Sequence, residues 1–359
     1  MLRRISVLFV LVPFVLLLFT NFKQDFSKDD YDNLKDQVEL ISWIFSGIMA
    51  IISFFAIFIG FMYENKLISA SKDLQNIYRP YTINISEYRQ VIINYQVSMT
   101  SNNLISYLYW VYLIVSSCTI YVWGVAVGFY TKYQVSLEIN FSVPAVLNFG
   151  IYLFFLILSG LLVSLTFILN QIKHFKDPLG KGYLPNTDQI TDIDYLKTKN
   201  SDLDEVLIKS GFHLEFYKNP PISNPKYEMI LNMPVKLKNL RFVLKIYDKE
   251  KNNILKCYGK ILDNSNFGER FLYRITDNLP NSIFNTLQDN ASGELKVYDS
   301  DDSVISRITL RLDLIDEYNH TFILQKAIKE REIMENDSRL LNNITAEEVK
   351  FFTELRTSL

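Results

Sequence analysis

Two short polar stretches in the C-terminal half gather acidic residues at a spacing that can do chemistry. Asp248 and Glu250 lie in the run Asp248–Asn253, and Asp299, Asp301 and Asp302 lie in Asp299–Ser303. A calcium ion takes several oxygen ligands at once, so the two stretches would make a site only if their loops met at one end of a sheet. The same residue types also build solvated hairpin turns, and turns are the expected role; no metal ligand is assigned. His174, His213 and His320 are scattered, with no partner at ligand spacing. His174, between Lys173 and Lys176, is expected at the level of lipid head groups, and His213 on the surface of a strand. Cys118 lies in an apolar segment and Cys257 in a polar one, which argues against a disulfide between them. The chain contains no phosphate-binding loop, nucleophile elbow, H-E-x-x-H or C-x-x-C. No catalytic residue and no cofactor are therefore expected, and the chain reads as a non-enzymatic protein.

The elements that carry these residues fall into two halves. Hydrophobic residues make up 49% of the 359, yet mean hydropathy is only +0.08. An apolar half joined to a polar half explains both values. Four apolar segments, at about 5–22, 40–63, 104–130 and 145–172, contain no Asp, Glu, Lys, Arg or His. A transmembrane helix needs ~20 predominantly apolar residues, so the four are expected to span a bilayer. The first is short, carries Pro13 and follows Arg3 and Arg4, which also suits a cleaved signal peptide. Leu18-Phe19-Thr20-Asn21 lacks the small residues of a cleavage site, and a retained helix is the preferred reading.

Lys and Arg in short loops are retained in the cytoplasm. Nine lie on one predicted side (Arg3, Arg4, Lys66, Lys72, Arg79, Arg89, Lys173, Lys176, Lys181) and four on the other (Lys23, Lys28, Lys35, Lys132). The expected protein is a multi-pass protein of the cell membrane with both termini cytoplasmic. Its cytoplasmic parts would be the loop 64–103 and everything after 173. Tyr107, Tyr109, Trp110 and Tyr112 at one end of the third span, and Trp123, Phe129, Tyr130 and Tyr133 toward the other, suit the two interfaces.

Small residues mark candidate helix-packing faces. Gly124 and Gly128 form a small-xxx-small pair that lets a second backbone approach closely. Ser46, Ala50, Ser53, Ala56 and Gly60 recur at near-heptad spacing along the second span. Packing within one bundle is the preferred role, and an interface between copies in a homo-oligomer is the alternative.

In the polar half, residues 174–201 read as a linker broken by Pro178, Gly180, Gly182 and Pro185. Period-two alternation over 202–320 predicts strands at 212–217, 242–247, 254–262, 271–276, 294–298 and 307–314. Repeated hairpins suggest an antiparallel sandwich or small barrel. Beyond 320 the period changes, and 321–359 is expected to form C-terminal helices. Phe322–Leu340 would be one of them, and Thr345-Ala-Glu-Glu348 would be the capping box of a last one. The fold class is thus a membrane α-helical part followed by a cytoplasmic β-rich domain. Residues 64–103 are expected to extend the second span and then to pack on that domain.

A net charge of -2 gives no electrostatic case for nucleic acid. The partners expected are the lipid bilayer and a protein or small ligand at the β-rich domain, making the chain a membrane-anchored sensor or adaptor. Its layout resembles that of bacterial anti-phage effectors that join membrane helices to a nucleotide-sensing β-barrel. That resemblance implies the alternative, an oligomeric pore-forming or membrane-disrupting effector gated by a ligand.

Overall fold

The computed structural model describes residues 8–20, 28–100, 103–131, 142–223, 226–261, 271–276, 281–287, 291–325 and 350–355. The chain divides into two compact units, one of 1–68 with 100–184 and one of 69–99 with 185–359. The division falls inside a single continuous helix.

The first unit is helical. A short helix α1 (Val12–Phe19) carries Pro13 in its first turn, where the missing N–H is unneeded. Three long helices follow: α2 (Lys28–Tyr78), α4 (Asn103–Thr131) and α5 (Val143–Lys173). All three are long and apolar enough to cross a membrane. A fourth span is not shown: among the described residues of the first apolar segment, helix runs over Val12–Phe19, with a further helical turn at 8–9. Residues 1–7 and 21–27 lie outside the described residues.

Burial separates the roles of the three. In α4, 44% of the apolar window is buried inside the protein, against 17% in α2 and in α5. Helix α4 is therefore the central one. Its Tyr112, Leu113 and Ile120 pack with Val10, Met49, Ala56 and Leu162. Tyr112 donates to the carbonyl of Leu162 at 3.2 Å, Tyr109 to Asn170 at 3.3 Å, and Trp123 Nε1 to Ser46 Oγ at 3.2 Å. The outer surfaces stay apolar, with Trp43, Phe54 and Phe61 exposed on α2 and Phe149, Phe154 and Leu161 on α5. An apolar surface this extensive marks a protein or membrane contact rather than a wet face.

The second unit is built on one antiparallel sheet of nine strands: β1 (His213–Lys218), β2 (Tyr227–Met233), β3 (Leu240–Tyr247), β4 (Asn253–Ile261), β5 (Phe271–Thr276), β6 (Ser292–Tyr298), β7 (Val304–Ile315), β8 (Asn319–Gln325) and β9 (Lys350–Leu355). Their order is β5-β2-β1-β8-β7-β6-β3-β4-β9. The two edge strands, β5 and β9, come within 8 Å of each other, Cα to Cα. The sheet is therefore curled, which corrects the two-sheet sandwich and leaves a partly closed barrel. The twist inherent in strands curls a sheet this wide. Its inner face is the core: Leu214, Phe216, Phe242, Leu244, Ile246, Leu295, Ile308 and Phe322 are buried. Phe212 meets Phe242, and Phe216 meets Phe322, edge to face at 5.8 and 5.6 Å.

Helix α3 (Ile85–Met99) belongs to this unit. Its buried residues Tyr88, Ile92, Tyr95 and Met99 recur at three- and four-residue spacing along one face. A capping box opens it: the Asn84 side chain accepts from Glu87 N at 2.8 Å, and Glu87 Oε2 accepts from Asn84 N at 2.9 Å. Tyr95 donates to the carbonyl of Pro185 at 2.7 Å. The expected linker contains a helix, α6 (Ile193–Thr198), N-capped by Asp192, and a second, α7 (Leu203–Lys209), N-capped by Asp202, follows directly after it; Ile193, Leu196, Leu203, Val206 and Leu207 are buried. Gly211 follows α7 at φ +75°, and a Cβ there would stand 2.8 Å from Ile85 Cγ2, so α3 needs a glycine at this point.

The expected C-terminal helices are corrected where the chain is described. Residues 319–325 form β8 between β1 and β7, and 350–355 form β9 along β4. Unpaired backbone at a strand edge takes the chain as a strand whatever its charge pattern suggests. The remainder of the two expected helices, with Thr345–Glu348, lies outside the described residues. A short helix, α8 (Asn281–Thr286), buries Ile283 and Phe284.

Candidate functional site

The acidic stretches do form turns, and they stand at opposite ends of β3. Arg241, at its start, donates to the carbonyl of Ser300 at 3.3 Å and lies 3.6 Å from Asp302. Tyr247, at its end, runs into the turn in which Asp248 accepts from Asn252 N at 2.7 Å. A strand of this length keeps the two turns ~20 Å apart. Among the described residues no three His, Cys, Asp or Glu side chains gather as a metal would require.

Asp299 instead ties α6 to the sheet. Its buried carboxylate accepts from Lys197 Nζ, from Ser303 Oγ at 2.6 Å, and from the backbone N–H of Asp301 and Ser303, both at 2.9 Å. Burial alone would raise its pKa, but these donors outweigh it and hold the carboxyl well below the ordinary range. The same contacts push the Lys197 ammonium up, chiefly through its hydrogen bond to Asp299.

The outer face of the sheet carries the charge. Alternate residues of a strand point to opposite sides. With Phe242, Leu244 and Ile246 in the core, Arg241, Val243, Lys245 and Tyr247 face outward. On β4, Lys260 stands opposite Arg241, Tyr258 opposite Val243, and Lys256 opposite Lys245. On β6, Tyr298, Lys296 and Glu294 occupy the same rows, and β7 places Arg307 opposite Lys296. Beyond β4, the register of β9 sets Lys350 opposite Lys260 and Glu354 opposite Lys256. Three pairs of like charge, Lys260–Arg241, Lys256–Lys245 and Lys296–Arg307, thus face one another across neighbouring strands. Such pairs destabilise an antiparallel ladder.

Glu294 offsets part of this charge. It pairs with Arg307 and accepts from Tyr247 Oη at 3.3 Å. Burial first, and then the neighbouring Arg241, lower the pKa of Lys260, and Asp302 partly opposes them. A small apolar cluster of Val243, Tyr258 and Tyr298, with Val304 against it, sits among the cations. Lys256, Lys260, Arg241 and Arg307 are half-buried, and Lys245 and Lys296 are buried. Clustered cations backed by aromatic rings suit an anion, which they hold by charge-assisted hydrogen bonds. Sequence reasoning passed over this face because net charge averages over the chain. The signal was present in the outward residues of the alternating strands, which are Lys or Arg at Lys245, Arg307 and Arg311.

The histidines and cysteines lie apart from one another. His213 bonds the Gly211 carbonyl through Nδ1 at 2.6 Å and Glu215 through Nε2 at 2.9 Å. Glu215 also accepts from Tyr217 and Asn232. Burial pushes its carboxyl up, and these hydrogen bonds more than reverse that. His320 is fully buried and stacks on Phe284 at 4.3 Å; burial lowers its pKa. His174 Nδ1 lies 2.8 Å from the carbonyl of Asn170. Cys257 is buried, which pushes its thiol up to about 12, and Cys118 belongs to the other unit.

The small residues of the helical unit are placed as follows. A Cβ on Gly124 would come within 2.2 Å of Leu17 Cδ1, so α1 lies against α4 there. Gly128 is buried. Gly60 faces Ile172 and Leu169 of α5, Ala56 is buried, and Ser46 accepts from Trp123. Ser53 is half-buried and Ala50 is exposed, so the buried face of α2 passes through Met49 rather than Ala50.

No protein family, curated protein or solved structure matches the chain.

Proposed function

We propose that the chain is a non-enzymatic, membrane-anchored sensor or adaptor whose β-rich unit binds an anionic ligand or partner on the outer face of β4-β3-β6-β7. The observation that carries this reading is the set of like-charged pairs in direct register. Six cations in register on one face offer an anion several charge-assisted hydrogen bonds at once. The three apolar helices supply the anchor. In this reading residues 5–22 form a fourth span, and both termini with the β-rich unit lie in the cytoplasm, because nine basic residues outweigh four.

Binding is tested with inorganic pyrophosphate as probe, on the full chain in nanodiscs. The probe should raise the unfolding midpoint of the β-rich unit, and Lys256→Gln with Lys260→Gln should remove that rise. An equal rise in both proteins would sink the reading. Topology is tested with an impermeant thiol reagent on intact cells. It should reach Asp30→Cys and Ser136→Cys and spare Ser201→Cys and Ser358→Cys; labelling at residue 201 would overturn the orientation. Ion flux through liposomes containing the chain alone, or triggered by pyrophosphate, would replace the adaptor with the gated pore.

A further inference from the structure

We propose that a crevice between α2, α4 and α5 holds one phospholipid with a primary-amine head group. The inference rests on the membrane-spanning reading of these helices and is independent of the anion-binding face. The crevice encloses about 810 Å³, within the range of roughly 300–1,000 Å³ typical of small-ligand sites. Its walls are almost wholly apolar. Ala126 and Val127 of α4 form one side and Gly150 and Phe154 of α5 the other. A Cβ on Gly150 would meet nothing within 4 Å, so the crevice has open space beside that backbone. Its mouth is apolar as well, with Trp43 78% and Phe154 67% exposed. Acyl chains fit a surface of this kind, and in a bilayer they are the solvent that reaches it.

One end of the crevice is polar. Glu39 is the charged residue of the lining, and Tyr130 donates to its Oε1 at 3.0 Å. The Ser42 hydroxyl, one turn further along α2, is buried and has no hydrogen-bond partner among the described residues. Lys35 precedes Glu39 by four residues and shares its helix face. A carboxylate and an ammonium one turn apart complement a zwitterionic head group: Glu39 takes the amine, and Lys35 the phosphate. A helix of a second copy would fill the apolar walls equally well, but it would leave the Glu39 carboxylate in a dehydrated contact, which is costly in a membrane. Charge complementarity therefore selects the lipid.

The test is native mass spectrometry of the full chain released from nanodiscs of equal parts phosphatidylethanolamine and phosphatidylcholine. One phosphatidylethanolamine per chain should be retained, in preference to phosphatidylcholine by about tenfold. Gly150→Phe fills the crevice and should reduce retained lipid by about tenfold. Ala126→Leu fills it from the opposite wall and should do the same, which guards against a folding defect in one variant. Glu39→Gln should keep a lipid but lose the head-group preference. Equal retention of both lipids by the natural chain, or undiminished retention in both filled variants, would overturn the proposal. So would a fall in subunit number in the filled variants with no lipid seen in the natural chain, since the occupant would then be a second copy. Alkaline carbonate extraction separates the two failures. A chain that stays in the membrane without bound lipid defeats this inference alone, whereas a chain that is released defeats the spanning reading as well.

Discussion

The two units put their apolar residues on opposite sides of the same problem. In the helical unit most of α2 and α5 faces outward as Phe, Leu, Ile and Trp, and the interior is joined by a few hydroxyl-to-carbonyl bonds such as Tyr112 to Leu162. In the β-rich unit the aromatic residues Phe212, Phe216, Phe242 and Phe322 are all inside, and the outward rows carry Lys, Arg and Glu. The difference teaches what each unit was built to be dissolved in. Burying apolar surface drives folding only where water is the alternative. Where lipid is the alternative, close packing and internal hydrogen bonds must hold the helices together instead.

The largest expected effect tests which unit owns α3. Tyr95 is fully buried and bonded to Pro185, so Tyr95→Ala should destabilise the β-rich unit by about 3–5 kcal/mol. Denaturant melts followed by far-ultraviolet circular dichroism should lose the β transition first and leave the helical signal in place. If both transitions move together, the two-unit comparison breaks.

Next is the close contact in the helical unit. Gly124→Leu places a side chain on Leu17 and should cost about 1–3 kcal/mol by overpacking, read as a lower melting temperature in detergent. Adding Leu17→Ala should recover much of that loss. Unchanged stability together with a smaller assembly would instead assign Gly124 to an interface between copies.

Asp299 sharpens the comparison from the polar side. Asp299→Asn removes the ion pair with Lys197 and weakens three further hydrogen bonds, at about 1–3 kcal/mol near neutral pH. The folded-state pKa is depressed, so this contribution is complete above the ordinary carboxylate range, about pH 4, and fades as pH falls through the folded value. Natural chain and variant should therefore converge in acid. A difference in stability that stays constant as pH falls from about 4 toward the folded value would show that the loss is steric rather than electrostatic.

The smallest effect has the opposite sign. Lys260→Gln relieves repulsion with Arg241 and should stabilise the ligand-free β-rich unit by roughly 0.2–1 kcal/mol, while weakening pyrophosphate binding. Loss of stability would mean that Lys260 is a structural residue and that the register of like charges has no bearing on ligands.

Much of this was legible in the sequence, for reasons that differ by element. The cores of α2, α4 and α5 were plain because charge-free runs of this length have few other uses. Strands β1, β3, β4, β5, β6 and β7 lie where the alternation predicts them, because core-facing apolar residues alternate with polar or aromatic ones on the outer face, which writes a period of two. Strand β2 was missed, and its burial shows why: Glu228 and Asn232 are buried along with Met229, Leu231 and Met233, so the alternation is blurred. Helix α3 is announced by Asn84-Ile-Ser-Glu87, which spells its capping box, but the polar residues among Tyr88, Ile92, Tyr95 and Met99 obscure its buried face. Strand β8 was read as helix because its charged neighbours imitate an amphipathic helical face.

By itself, then, the sequence determined the division into an apolar and a polar half, the lengths that suit a bilayer, and the turns at Asp248 and Asp299, because each follows from composition or from contacts a few residues long. Only the tertiary structure decided the rest. It brought the edges of the sheet near each other, seated β9 along β4 across a gap in sequence of nearly a hundred residues, and joined α3 to a domain that begins after α5. It also set Lys260, Lys256 and Lys296 opposite Arg241, Lys245 and Arg307. Strand register is fixed by which face must be buried and by which edge is open, and neither is written at any one position in the chain.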